Sequence, residues 1–242
     1  MFRTRRSRHT ATVEAVSLIA PRMARITLRG PGMSGFRCEE PTQWVKLHVP
    51  DPRDGRTVGR AYTVRHQHPS EPRIDIDVVL HGNGPAARWA ETAHVGQEVS
   101  FGGPRGSFRP DPGVGCYLLA GDESAQPAVL TIAESLPAGV RGTVYLEVEG
   151  PEAETEVHTR AALDVVWVHR SGRAKGEALR DAVLKAPAPE RRAYAWAAGE
   201  SGAVREIRRH FQQNLGLDRQ RAYAKGYWKR DEPDHRDPLA SD

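Results

Sequence analysis

The chain has 242 residues, enough for one large domain or two modest ones at roughly 150 residues each. Hydrophobic residues make up 38% and charged residues 27%, and no apolar run nears the roughly 18 residues of a membrane span. Thirty-five Lys and Arg against 31 Asp and Glu leave a formal charge of +4, a mild excess that rules out only a strongly acidic partner surface; no nucleic-acid partner is expected. The only two cysteines, Cys38 and Cys116, exclude a disulfide framework, an iron–sulfur cluster on four thiolates and a Cys-rich zinc site. Redox chemistry in such a chain falls to an organic cofactor, and the compartment reads as reducing, hence cytoplasmic. The basic start, with Arg3, Arg5, Arg6 and Arg8, lacks a following apolar region. It reads as a solvated arm rather than a secretory or twin-arginine signal.

The first part reads as all-β. Residues 10–20 and 23–29 alternate apolar and polar positions, with Pro21 and Gly30 as punctuation. In 44–49, Val45, Leu47 and Val49 share one face, opposite Trp44, Lys46 and His48. Strands over 61–65 and 74–80, a helix over 84–93 opening on Gly84-Pro85, and a strand over 98–101 follow. Six short strands suggest a small barrel or sandwich. The stretch GGPRGSFRPDPGVG, 102–115, holds five glycines and three prolines and reads as a linker or long turn.

Beyond it, strands over 116–120, 143–148, 163–168 and 194–198 alternate with helices over 127–135, 177–184 and 202–215. That rhythm predicts a parallel sheet of βαβ units, with a final strand over 221–226. The tail KRDEPDHRDPLASD is almost devoid of apolar residues and reads as disordered. The expected fold is therefore a two-domain α+β chain. An antiparallel β-barrel spans 1–110, a parallel α/β domain 111–230, and a disordered tail 231–242.

A barrel followed by a parallel α/β half is a common way to hold one flavin and one nicotinamide. The segment Arg60-Ala61-Tyr62-Thr63-Val64-Arg65 carries a guanidinium suited to a pyrophosphate, an aromatic ring that can stack on a flavin, and a hydroxyl that can reach a ring nitrogen. An ordinary exposed strand is an equal reading of those residues alone. The segment from Asp75 to Ala90 reads as a buried strand, a glycine turn with His81, Gly82 and Gly84, and a helix start whose free N–H groups suit phosphate. Its spacing is not that of a Rossmann fingerprint.

Together, R-x-Y-T-V-R, D-x-V-L-H-G-x-G-P-A-x-x-W-A and G-P-R-G-S resemble the siderophore-interacting proteins. These are FAD-containing, NAD(P)H-dependent ferric-siderophore reductases within the ferredoxin–NADP reductase-like superfamily. Three downstream motifs agree in order: Gly121-Asp122-Glu123-Ser124-Ala125-Gln126-Pro127, Ala198-Gly199-Glu200 and Gly226-Tyr227-Trp228. The resemblance spans about residues 10–228. The family's tail usually continues with a glycine after Tyr-Trp-Arg, whereas this chain reads Trp228-Lys229-Arg230-Asp231.

The resemblance implies that Arg60, Tyr62, Thr63 and Arg65 form the flavin-and-phosphate strand, with Tyr62 and Thr63 nearest the reacting ring. His81, Gly84, Ala86 and Ala87 would surround the FAD phosphates, and Asp77, Val78 and Leu80 would lie near the adenine. Gly121, Asp122, Glu123, Ser124, Glu200 and Trp228 would serve the nicotinamide end. Arg170, supported by Arg173, would meet the 2′-phosphate of NADPH in preference to NADH, because no acid lies between His169 and Lys175. Lys46, Lys225, Lys229 and Arg230 would form a basic rim for an anionic ferric siderophore. No protein metal ligands are expected, since the siderophore fills the iron's coordination sphere. A ferredoxin as electron donor, a flavin reductase serving another acceptor, and a non-enzymatic siderophore-binding protein stand as alternatives.

Overall fold

In the computed structural model, the chain divides into two compact units, Met1–Phe108 and Arg109–Asp242. The structure describes residues 8–68, 70–82, 84–189, 192–232, 235 and 237. Arg3, Arg5 and Arg6 of the expected arm lie outside them, while Arg8 opens the first strand and its Nη2 donates to Ser100 Oγ at 2.9 Å.

The first unit is a closed barrel of β1 (Arg8–Ala20), β2 (Met23–Arg29), β3 (Trp44–Pro50), β4 (Thr57–His68), β5 (Arg73–Val79) and β6 (Glu98–Arg105). The strands run in the order β1-β2-β5-β4-β3-β6, all neighbours antiparallel. The expected alternation fills the interior: Ile26 and Leu28 from β2, Val45, Leu47 and Val49 from β3, and Ile74, Ile76 and Val78 from β5. Helix α1 (Pro85–Thr92) lays Ala86, Trp89 and Ala90 on this core.

Two expectations are corrected here. Residues 102–105 are not linker but the end of β6. In β4 an alternation that would set Arg60, Tyr62 and Val64 on one face and Ala61, Thr63 and Arg65 on the other holds only as far as Thr63: Thr63, Val64 and Arg65 are all buried, because the register with β5 slips between Val64 and His66. A residue inserted there belongs to neither face, as in a β-bulge.

The second unit is a five-stranded parallel sheet ordered β11-β10-β7-β8-β9. Its strands are β7 (Cys116–Gly121), β8 (Arg141–Val148), β9 (Ala162–His169), β10 (Ala193–Glu200) and β11 (Ala222–Trp228). β7 is almost entirely buried, as a central parallel strand must be. The connections include α2 (Gln126–Ser135), α3 (Glu177–Leu184) and α4 (Ser201–Gln213). Val204, Ile207 and Phe211 of α4 pack with Leu179 and Val183 of α3 on Leu118, Ala195 and Ala222 of the sheet. The chain leaves β7 toward β8 and β9, then returns on the other side as β10 and β11. The topological switch therefore lies between β7 and β10, where Ala198 pairs with Gly121.

Of the tail expected to be disordered, residues 233, 234, 236 and 238–242 lie outside the described residues. His235 and Asp237 are tied to the second unit, through Ser201 Oγ at 2.7 Å and the Gly226 N–H at 2.8 Å. Among the described residues, no helix is long and apolar enough to cross a membrane.

Candidate functional site

In the barrel, β4 pairs Arg60 with Leu47 and Tyr62 with Val45, in the row of β3 that feeds the core. Tyr62 packs half-buried against that core, and burial pushes its hydroxyl above the ordinary range. The Arg60 guanidinium donates to the Gly59 carbonyl at 3.0 Å. Lys46 lies opposite Ala61, and a Cβ on Gly59 would fall 2.5 Å from Lys46 Cε, so Gly59 makes room for the lysine stem.

β5 delivers the chain to the turn before α1. Val78 lies in the barrel core and Leu80 packs beside it, its N–H donating to the Arg22 carbonyl at 2.8 Å. The Asp77 carboxylate accepts from Arg25 Nε at 2.7 Å and Nη2 at 2.9 Å, so its side chain serves the barrel wall. His81 and Gly84 are exposed. Gly82 and Gly84 have φ of +67° and +89°, values that favour glycine. A Cβ on Gly82 would meet nothing, and one on Gly84 only His81 Cε1 at 3.8 Å. The N-cap Gly84 has no side chain to cap α1, and Pro85 stands in the first turn. The first intrahelical bond runs from the Arg88 N–H to the Gly84 carbonyl. The Ala86 and Ala87 amides thus face an open glycine turn at the positive end of the helix, where a phosphate fits. The sequence reading did not single out Arg88, whose Nη2 lies 2.8 Å from Asp51 Oδ2 and ties α1 to the loop after β3.

In the second unit the motif residues converge at the carboxyl edge of the sheet. Asp122 follows β7 and is 2% exposed. Its Oδ1 accepts from Ser124 N at 2.9 Å and Ser124 Oγ at 2.6 Å. Its Oδ2 accepts from Glu200 N at 2.9 Å and Trp228 Nε1 at 2.8 Å. Burial pushes this carboxyl up, and the Ser124 and Trp228 hydrogen bonds offset part of that rise. Gly199 has φ +147°, and a Cβ there would lie 2.6 Å from Asp122 Oδ2. Gly121 is required by packing: its Cβ would fall 2.9 Å from Val129 Cγ2 of α2.

Glu200 turns its Oε2 to the Ala203 N–H at 2.8 Å, capping α4. Glu147, wholly buried at the end of β8, accepts from the Gly176 and Leu179 amides, each at 2.8 Å, and caps α3. Burial raises its pKa against those two amides. The acidic strand end was legible in the sequence as Glu147-Val148-Glu149, but its capping role needed the spatial neighbour.

The structure corrects the premise for Arg170. That residue is 6% exposed and has internal anionic partners: Nη1 lies 2.9 Å from Glu123 Oε2 and 3.9 Å from Glu147, and Nη2 lies 3.7 Å from Glu149. Lys175 Nζ donates to the same Glu123 at 3.0 Å. Burial pushes the Glu123 carboxyl up, but Arg170 and Lys175 outweigh it and hold it below the ordinary range. Arg173 reaches Asp181 across the first turns of α3. The missing acid between His169 and Lys175 is supplied from the loop after β7, the end of β8 and the residue beyond it, and α3. Of the basic-rim residues, Lys225 lies in the middle of β11, Lys229 and Arg230 follow the strand with Lys229 bound to Glu232, and Lys46 belongs to the first unit.

A family model described as "Siderophore-interacting FAD-binding domain" matches residues 50–108, and one described as "Siderophore-interacting protein" matches residues 115–231. The chain is 29% identical to the ferric vibriobactin reductase ViuB of Vibrio cholerae, over 88% of this chain and 86% of that one. A siderophore utilization protein from T. fusca superposes with a TM-score of 0.86 at 33% identity, covering 93% of this chain and 94% of the other. The siderophore-interacting protein SipS from Aeromonas hydrophila gives 0.82 at 28% identity, covering 94% and 93%. The chain belongs to the siderophore-interacting protein family and carries that family's FAD-binding domain in its barrel unit.

Proposed function

We propose that this chain is a ferric-siderophore reductase that draws electrons from a nicotinamide dinucleotide through FAD and releases iron as Fe(II). The observation that carries the reading is the uncapped start of α1 behind an open glycine turn, inside the segment that matches the FAD-binding model. The 29% identity to a ferric vibriobactin reductase supports the acceptor, and the parallel sheet supports the donor.

A bound flavin supplies the exchange between a two-electron hydride donor and a one-electron ferric acceptor. The chain's own residues bind and orient. Arg60 neutralises the pyrophosphate, and the Ala86 and Ala87 amides take a phosphate oxygen, with His81 and Gly84 at the turn. Tyr62 would hold the ring by stacking, Thr63 would offer it a hydroxyl, and Arg65 would add a charge on the same strand. Fe(II) holds hard oxygen ligands more weakly than Fe(III), so reduction loosens the siderophore's grip. Lys46, Lys225, Lys229 and Arg230 attract an anionic ferric complex. No 2′-phosphate preference is assigned to Arg170, because its guanidinium already meets Glu123.

The test is anaerobic turnover of the FAD-loaded protein with NADPH or NADH and a ferric siderophore, trapping Fe(II) with a chromogenic chelator. Fe(II) should accumulate only with both flavin and nicotinamide present. Flavin that stays oxidised under both nicotinamides would reject the donor; reduced flavin that a ferric siderophore fails to reoxidise would reject the acceptor.

A further inference from the structure

Among the described residues at the carboxyl edge of the parallel sheet, three carboxylates of the chain itself hold backbone amides. Glu147 holds the Gly176 and Leu179 amides at the start of α3. Glu200 holds the Ala203 amide at the start of α4. Asp122 stands at the switch between β7 and β10, where open α/β sheets take their ligands. Its two oxygens collect two backbone amides, an indole N–H and a hydroxyl, from the loop after β7 and from the last residues of β10 and β11. Three of these four groups can only donate, which favours the ionised carboxylate. Gly199 is what admits it: any side chain there would strike Oδ2.

We infer that Asp122 is a built-in occupant of the dinucleotide crevice, standing where the diphosphate of a nicotinamide donor would bind and holding down the affinity for it. This deepens the proposed function and rests on it. While Asp122 is in place, the Ser124 and Glu200 amides are taken, and a diphosphate entering the crevice meets a negative charge. The crevice then discriminates by charge: it resists the anionic middle of the donor while leaving the uncharged nicotinamide end unopposed.

The experiment measures inorganic pyrophosphate binding by calorimetry to the FAD-loaded protein, in which FAD covers the phosphate site at α1. Wild type is compared with Asp122→Asn, Asp122→Ser and Trp228→Phe, each first shown to melt cooperatively. Trp228→Phe removes one donor but keeps the carboxylate. Asp122→Asn and Asp122→Ser should bind pyrophosphate at least about tenfold more tightly than wild type, the scale of one charge-assisted hydrogen bond. Trp228→Phe should show no gain. Unchanged or weaker binding in both Asp122 variants would overturn the inference. Equal tightening in Trp228→Phe would do so as well, since it would trace the gain to a loosened crevice rather than a lost charge. Reduction of the wild-type flavin by NADPH, followed in parallel, reads the proposed donor separately: its absence would reject that donor whatever the pyrophosphate result.

Discussion

Arg170 and Glu123 form a buried ion pair: Nη1 of the first lies 2.9 Å from Oε2 of the second, with side chains 7% and 8% exposed. The pair joins the loop after β9 to the loop after β7, across the intervening β8. Removing Arg170 leaves Glu123 with Lys175 as its remaining cation and takes the guanidinium away from the buried Glu147, which costs more than the pair itself contributes. Arg170→Ala should therefore lower stability by about 3–5 kcal/mol. Chemical denaturation would show this as a reduced midpoint. The KM values for NADH and NADPH should change together. A selective loss for NADPH with unchanged stability would restore a 2′-phosphate role.

Gly199 and Asp122 give a steric prediction at the same edge. A Cβ at 199 would lie 2.6 Å from the carboxylate oxygen, in a backbone conformation that L side chains rarely adopt. Gly199→Ala should cost about 1–3 kcal/mol, as overpacking of a well-filled site does. It should also disturb the Trp228 indole hydrogen bond, visible as a shift in tryptophan emission. A variant with the wild-type melting point and spectrum would contradict the geometry.

Much of this fold was legible because its signals are local. The two-residue period of β3 and the continuous apolar run of β7 each reflect how many faces a strand buries. The glycine turn before α1 was equally plain. What stayed hidden was set by contacts distant in sequence. β4 loses its alternation because of its register with β5, which its own residues do not encode. Asp77 looked like a ligand-side acid until Arg25, 52 residues away, was found on it. Arg170 looked like a cation without an acid because its acids come from the loop after β7 and from the end of β8. Gly121-Asp122-Glu123 was found by motif, yet its two acids divide in their partners, one collecting hydrogen bonds from Ser124, Glu200 and Trp228 and the other pairing with Arg170 and Lys175.

Arg60 carries the prediction for the flavin. A guanidinium on a pyrophosphate makes a charge-assisted contact, and its loss costs about 1.5–3 kcal/mol, or roughly ten- to a hundredfold in affinity. Arg60→Ala should release FAD on dialysis, read from the flavin absorbance that remains with the protein. Full retention would remove Arg60 from the phosphate site. Arg60→Lys should recover part of the affinity, because it keeps the charge and loses only the planar fork.

Asp75 gives the barrel an acid-sensitive support. Its Oδ2 lies 3.1 Å from His66 Nδ1 and 3.2 Å from His68 Nε2, and Oδ1 accepts from Thr27 Oγ1 at 2.8 Å. Burial works against ionisation there, but these three partners outweigh it and hold the carboxyl far below its ordinary value of 3.8. A carboxyl whose pKa falls on folding binds fewer protons in the folded state than in the unfolded one. Its stabilisation is therefore complete above the ordinary value and drains away as pH falls from there toward the folded value. Asp75→Asn removes the charge while keeping the shape, and should cost about 1.5–3 kcal/mol at pH 7, the range for hydrogen bonds to a charged group. The loss should be clearly smaller at pH 3. Urea midpoints for both proteins at the two pH values decide it: a penalty of the same size at both would mean that Asp75 acts through packing and not through its charge.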